Sequence, residues 1–392
     1  MLQTDPKSYL RNRNKEVMIP NMDAVVRTCL TAAFCRRKRR DSLIMKKDLE
    51  IYGTLGPACR ETEVLRQMLA CGITGMRLNL SHGTLADSAP LIEAFHRASA
   101  LEGVSPSLLI DMQGPELRIG NVRKGFSAAQ GDIICLSVRD DTAPEQDAIP
   151  VPREVFDHYE PGMTILIDDG KIRLRLLKKD IAADHGRITA AVLTGGPVLS
   201  RKSIAIEGAS VTGSTLTQQD LSNLRYAAKA GVTDVMQPFV RGKGDLLEVK
   251  KAMEECGAGN CRLFAKIENR EGIRALEEIL PLTDMLVIAR GDLGNAVPLW
   301  ELPRVQKEIS ERCISADVPF MVVTQMLASM EYSPVPTRAE VSDIFNAVND
   351  GASAVMITGE SASGLYPVRA SQYLVKTALE GLKWRREREK RS

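Results

Sequence analysis

At 392 residues the chain is long enough for two or three domains with real cores. With 44% hydrophobic and 26% charged residues it is neither collagen-like, nor a disulfide scaffold, nor wholly disordered. Fifty-two Lys/Arg against 50 Asp/Glu leave +2, aromatics are 4%, and no run of about 18 uncharged apolar residues occurs, so neither a nucleic-acid nor a membrane partner is expected.

Residues 1–44 stand apart. They carry ten Lys/Arg and four Asp/Glu, densest at Arg36-Arg37-Lys38-Arg39-Arg40, and the remainder is net −4. A nuclear-localisation or anion-binding patch is one reading; a leader outside the folded unit, with Met45 as the natural start, is the plainer one. From Glu50 onward, short apolar runs alternate with helix-period segments. The expected strands are Glu50–Thr54, Gly75–Leu80, Ser107–Asp111, Asp234–Gln237, Arg262–Lys266, Met285–Ala289, Phe320–Thr324 and Ser353–Ile357. Helical stretches between them include Glu61–Cys71, Leu216–Ala230, Gly244–Glu255, Arg270–Ile279, Leu302–Ala316 and Arg338–Asp350. Eight βα units predict an α/β chain folded as a closed (β/α)8 TIM barrel.

The alternation breaks once. Between about 120 and 212 the runs are β-like: Ile133–Val138, Thr164–Ile167, Ile172–Leu176 and Ile188–Leu193, with Asp168-Asp169-Gly170-Lys171 as a hairpin turn. This predicts a small all-β domain inserted after the third barrel strand, where barrel active sites lie and where a lid can act. The expected organisation is therefore a basic extension at 1–44, barrel at 45–119, lid at 120–212, barrel at 213–384 and a charged tail at 385–392.

Polar residues cluster at the strand ends: Arg77, Asn79, Ser81 and His82; Asp111; Lys266 and Glu268; Arg290-Gly291-Asp292-Leu293-Gly294; Thr324-Gln325; and Thr358-Gly359-Glu360. Lys266 and Glu268, two apart on a strand, share a face. Alone they are an ordinary strand-end salt bridge. With Asp292 on the adjacent strand, they suit a hard divalent cation held by oxygen. The eight cysteines (Cys29, Cys35, Cys59, Cys71, Cys135, Cys256, Cys261, Cys313) are scattered away from the four histidines, which argues for reduced cytosolic thiols and not for zinc. Gly291 and Gly294 would let the backbone approach an anion, and Arg77, Arg118 and Lys202 could stabilise a phosphoryl group.

At these positions the chain resembles the pyruvate kinase family, from about Leu49 to Ala370. The resemblance is carried by Gly53–Ala58, Arg77–Gly83, Gly114–Arg118, Asp168–Gly170, Lys266–Asn269, Ala289–Gly294, Thr324–Leu327, Pro336–Glu340 and Thr358–Ser361. It implies Mg2+- and K+-dependent transfer of a phosphoryl group from phosphoenolpyruvate to ADP, giving pyruvate and ATP. By the same resemblance Glu268 and Asp292 hold Mg2+ (or Mn2+). Asn79, Ser81, Asp111 and the carbonyl of Met112 hold K+, with Glu116 at the acidic position tied to K+ dependence. Arg77 and Lys266 act on the transferred phosphoryl group, and Thr324 lies near the carbon that is protonated. Backbone groups of Ala289, Arg290, Gly291 and Asp292 bind the substrate carboxylate. Pro57, Arg77, His82, Arg118 and Lys202 lie on the nucleotide side.

The chain departs from the family pattern at Met112-Gln113, Ser203, Ala205, Glu207, 215–220, Pro238, Asn295-Ala296 and Ser363, mostly on the nucleotide and lid side. A related phosphoenolpyruvate- or pyruvate-using enzyme with another acceptor, or a weakly active phosphoenolpyruvate-binding regulatory protein, stays open at this stage. The family's usual C-terminal effector domain has no counterpart before Ser392, so a cytoplasmic homo-oligomer, a dimer before a tetramer, without sugar-phosphate activation is expected.

Overall fold

Each barrel strand is a short run of apolar or β-branched residues, buried along nearly its whole length, as a parallel strand covered on both faces requires. The computed structural model describes residues 48–391 apart from 82, 115–116, 123–125, 139–147, 169, 181–185 and 208–213; the expected basic extension lies outside the described residues. The first three strands are β1 (Glu50–Thr54), β2 (Gly75–Asn79) and β3 (Ser107–Asp111). An insertion of eight strands follows: β4 (Phe126–Ala128), β5 (Ile133–Val138), β6 (Ala148–Val151), β7 (Thr164–Ile167), β8 (Ile172–Asp180), β9 (Arg187–Thr194), β10 (Gly196–Val198) and β11 (Ile204–Ile206). The chain then returns through β12 (Asp234–Gln237), β13 (Arg262–Ile267), β14 (Met285–Ala289), β15 (Phe320–Val323) and β16 (Ala354–Met356).

The closed barrel has the order β1-β16-β15-β14-β13-β12-β3-β2, with every neighbouring pair parallel. Tyr52, Leu109, Met236, Phe264, Met285, Val287, Met321, Val323 and Met356 fill its interior, so the barrel is a packed core and not a pore. Gly75 is required there: a Cβ would fall 2.3 Å from the Tyr52 ring. Outer helices start where the local chemistry favours them. The helix Gln218–Ala230 opens on a Thr217–Asp220 capping box, and Arg338–Asn349 opens on Thr337–Glu340.

The insertion forms a six-stranded sheet, β11-β7-β8-β9-β5-β6, and a two-stranded sheet, β10-β4. Alternate residues of β8 and β9 point into a separate core that includes Ile134, Leu136, Ile149, Ile165, Ile167, Leu174, Leu176 and Ile188. Full burial of each such side chain contributes roughly 1.5–3 kcal/mol. Leu117 and Ile119 already pack on this core, beside a bridge between Arg118 and Ser203, so the inserted fold begins a few residues before 120.

One helical stretch differs from expectation. Arg270–Ile279 is two short helices, Arg270–Arg274 and Leu276–Ile279, because Ala275 leaves helical geometry at ψ 11°. The C-terminal helix Pro367–Glu389 runs 23 residues without a break into the charged segment. Arg385 anchors it there, its guanidinium donating to the Val348 carbonyl at 3.0 Å. Among the described residues, no helix is long and apolar enough to cross a membrane.

Candidate functional site at the barrel mouth

The barrel register builds the site. β2 and β3 pair Asn79 with Asp111, which leaves Arg77 on the same strand face as Asn79, one pleat back. Arg77 donates through Nε at 2.8 Å and Nη2 at 2.7 Å to one oxygen, Asp111 Oδ2. Lys266, near the end of β13, reaches the same oxygen at 3.3 Å and Glu268 Oε1 at 3.0 Å. Glu268 Oε2 accepts from the Phe239 amide at 2.8 Å. Asp111 and Glu268 are 2% and 3% exposed, so the charges are compensated inside the protein and not by water.

The electrostatics follow from that burial. Burial alone pushes the Asp111 carboxyl up; Lys266 and Arg77 outweigh it and hold the group below its ordinary range. Burial pushes the Lys266 ammonium down; Asp111 and Glu268, with a smaller contribution from Asp292, outweigh both burial and the like charge of Arg77 and raise it above the ordinary lysine value. Lys266 therefore stays a cation and is no proton acceptor at neutral pH. Three carboxylates, Asp111, Glu268 and Asp292, thus bear on one ammonium.

One atom is left over. Asp111 Oδ1 is buried and has no hydrogen-bond partner among the described residues. Such an acceptor costs about 1–3 kcal/mol unless something positive meets it. Its neighbour across the register, Asn79, accepts from Ser81 Oγ at 2.9 Å and from the Ser81 amide at 3.2 Å. Met112 follows, buried, its amide bonded to the Met236 carbonyl at 3.1 Å. This all-oxygen donor set with one unsatisfied carboxylate oxygen fits a hard monovalent cation. Glu268 and Asp292, the pair expected to hold a divalent ion, both act on Lys266. Among the described residues, no group of three His, Cys, Asp or Glu side chains is placed to hold a metal ion, so such an ion would need oxygens from substrate or water.

Opposite lies the short helix Arg290–Ala296, whose first turn no side chain caps. Thr324 faces it: a Cβ at Gly291 would stand 3.2 Å from Thr324 Cγ2. Thr324 and Gln325 both hold left-handed backbone, φ 81° and 56°, a conformation that a β-branched threonine resists. Glu360, 1% exposed, ties the loops after β15 and β16 together by accepting from the Leu327 and Thr358 amides at 2.9 and 2.7 Å.

On the lid side, Pro57 is exposed after β1, in the short helix Pro57–Cys59. Lys202 is ion-paired with Asp168 at 2.9 Å, and Arg118 donates to the Arg201 carbonyl at 2.7 Å. A Cβ at Gly170, in the β7–β8 hairpin, would lie 3.7 Å from Asn295 Oδ1, so the insertion folds back onto the mouth. Gln113 does not project as a charged residue would. Its amide donates to Asp220 Oδ1 at 2.8 Å and its Nε2 to the Leu80 carbonyl at 3.2 Å. His82 and Glu116 lie outside the described residues. The structure thus brings Arg77, Asn79, Ser81, Asp111, Met112, Lys266, Glu268, Asp292, Gly291 and Thr324 to one end of the barrel. It leaves Arg118 and Lys202 at the root of the insertion. The reading of the residues missed the side-chain role of Arg290, whose guanidinium binds the Thr324 carbonyl and Asp343, and the left-handed pair at 324–325; backbone of that kind leaves no composition signal.

A (β/α)8 barrel with polar strand ends of this kind belongs to the large class whose chemistry lies at the C-terminal mouth. The family model of the pyruvate kinase barrel domain matches residues 46–371, and the chain belongs to the pyruvate kinase family. A pyruvate kinase of Sporosarcina psychrophila is 35% identical over 332 residues, 84% of this chain and 56% of the relative. One from Agrobacterium vitis is 37% identical over 346 residues, covering 87% and 68%. One from Clostridium perfringens is 32% identical over 336 residues, covering 85% and 70%. The chain spans little more than half the length of several of these curated relatives.

Proposed function

We propose that the protein transfers the phosphoryl group of phosphoenolpyruvate to ADP, giving pyruvate and ATP. The observation that carries this reading is the buried Arg77–Asp111–Lys266–Glu268 cluster with its unsatisfied carboxylate oxygen. Two anionic substrates repel each other, and a water-poor mouth that offers fixed cations beside cation-binding oxygens offsets that repulsion and aligns them. Arg77 and Lys266 lie against the transferring group, and Lys266 serves as a constant charge because its neighbours keep it protonated. The ADP oxygen forms the new P–O bond, the bond to the enol oxygen breaks, and the enolate carbon takes a proton on the side of Thr324. The uncapped first turn at 290–292 holds the carboxylate. Mg2+ or Mn2+ at Glu268 and Asp292 would supply Lewis-acid stabilisation of the enolate, and K+ at Asn79, Ser81, Asp111 and the Met112 carbonyl further positive charge. The inserted domain acts as the lid, with Pro57, His82, Arg118 and Lys202 on the nucleotide side.

The test is pyruvate formation from phosphoenolpyruvate with and without ADP, Mg2+ and K+. The expected result is pyruvate only when ADP and a divalent ion are both present, with K+ accelerating it. Pyruvate released at the same rate without ADP overturns the reading in favour of another acceptor.

A further inference from the structure

Among the described residues, a strained pair of backbone conformations lies at the mouth. Thr324 is β-branched and held at φ 81°, and Gln325 follows at φ 56°. Such residues persist only where their surroundings over-determine them. Here the determinant is Arg290. Its Nε and Nη2 both donate to the Thr324 carbonyl, at 3.1 and 2.7 Å, so two bonds converge on one oxygen. The other arm of the guanidinium is fixed from behind by Asp343, on the helix Arg338–Asn349: Nη1 reaches Oδ1 at 2.8 Å and Oδ2 at 2.7 Å. The Arg290 side chain is only 11% exposed. Its backbone opens the same short helix that carries Gly291, and Gly291 is the residue against which the Thr324 methyl rests.

The geometry points to Arg290 and Asp343 as positioning residues for Thr324. An outer helix, through Asp343, holds the guanidinium. The guanidinium holds the carbonyl of a strained residue, and so the side chain of Thr324 is locked over the start of the helix Arg290–Ala296. This rests on the reading that Thr324 lies beside the carbon protonated in the reaction, and it extends that reading to residues that touch no substrate. A planar fork gripping one carbonyl is something a lysine cannot reproduce. Arg290 is thus employed through its side chain on Thr324, and only through its backbone on the substrate carboxylate.

The experiment is a double-mutant cycle with Arg290→Lys and Thr324→Ala, read by kcat and KM for phosphoenolpyruvate and by exchange of the methyl protons of pyruvate with deuterated water. Each single variant is expected to lower methyl exchange and kcat by about tenfold or more, with KM within about threefold, as for an interaction realised at the reacting centre. The double variant is expected to be no slower than Thr324→Ala alone. Asp343→Asn, at the rim of the clamp, is expected to show the same split at smaller size, and it carries the cycle if Arg290→Lys does not fold by circular dichroism. Losses that multiply in the double variant, or a rise in KM with exchange unchanged, overturn the positioning role while leaving the reaction intact. A wild-type chain that forms no pyruvate with ADP overturns the reaction and the positioning role together.

Discussion

The two ends of the barrel each hold an ion cluster, and they are built differently. At the floor, Arg262 bonds Glu50 at 2.7 and 2.9 Å and Asp234 at 2.6 Å. Tyr52 donates to Glu50 at 2.6 Å and accepts from Arg262 at 3.1 Å, and Thr233 donates to Asp234 at 3.1 Å. Every oxygen of Glu50 and Asp234 has a partner, and no residue of the cluster has a left-handed backbone. At the mouth, three donors crowd onto one oxygen of Asp111 while the other has none, and Thr324 and Gln325 are strained. A satisfied network rigidifies a fold, whereas an unsatisfied one beside strained backbone is what remains when a site is shaped for something that arrives later.

The comparison breaks most visibly through activity. Glu268→Gln keeps the shape of the side chain and the bond from Phe239 but removes one of the three carboxylates bearing on Lys266. Turnover should fall by about 10^3-fold or more while the melting temperature moves by only a few degrees. At the floor, Arg262→Met should do the reverse. It leaves Glu50 and Asp234 without their cation, and urea denaturation should show a loss of about 2–4 kcal/mol, with turnover per folded molecule within about twofold of wild type. A floor variant that kills turnover in a fully folded protein would erase the distinction.

Smaller effects sharpen it. Gln325→Gly removes the Cβ cost at φ 56° and should gain up to about 1 kcal/mol in denaturation while lowering kcat, a trade that no floor position should show. The weakest effect belongs to the Asp168 ion pairs within the insertion. Burial pushes the Asp168 carboxyl up, but Lys202 and Lys171 outweigh it and hold it below its ordinary value. Its contribution is therefore complete above the unfolded pKa of about 3.9 and is lost as pH falls through the lower folded value. In an acid titration followed by circular dichroism, Asp168→Asn should lack that increment, which is under about 1 kcal/mol for a pair open to solvent. Equal acid limbs for the two proteins would show that these pairs add nothing to stability.

The barrel was legible because its strands are uniform. β1, β3, β12 and β14 have the bounds that their apolar runs and flanking polar residues announce. In the insertion, β5 and β7 read as clearly, but β4, β6, β10 and β11 are three or four residues long. Pro150 and Pro197 lie inside two of them, where a proline argues against a strand. The mouth residues were legible as types at strand ends. What no local pattern carries is which oxygen each donor chooses. Arg290 meets Thr324 and Asp343 across 34 and 53 positions, and Arg262 meets Glu50 across 212. Left-handed backbone at a threonine is likewise imposed by packing and hydrogen bonds from elsewhere, against the residue's own preference.

On the proposed function, the unsatisfied mouth moves a phosphoryl group between two anions and the satisfied floor does not. Phosphorus NMR of the wild-type chain with phosphoenolpyruvate, ADP, Mg2+ and K+ tests it most directly. The phosphoenolpyruvate resonance should be replaced, mole for mole, by the γ-phosphate of ATP; Glu268→Gln should abolish this and Arg262→Met should leave it. Inorganic phosphate appearing in place of ATP, or ATP forming at the wild-type rate in Glu268→Gln, would contradict it.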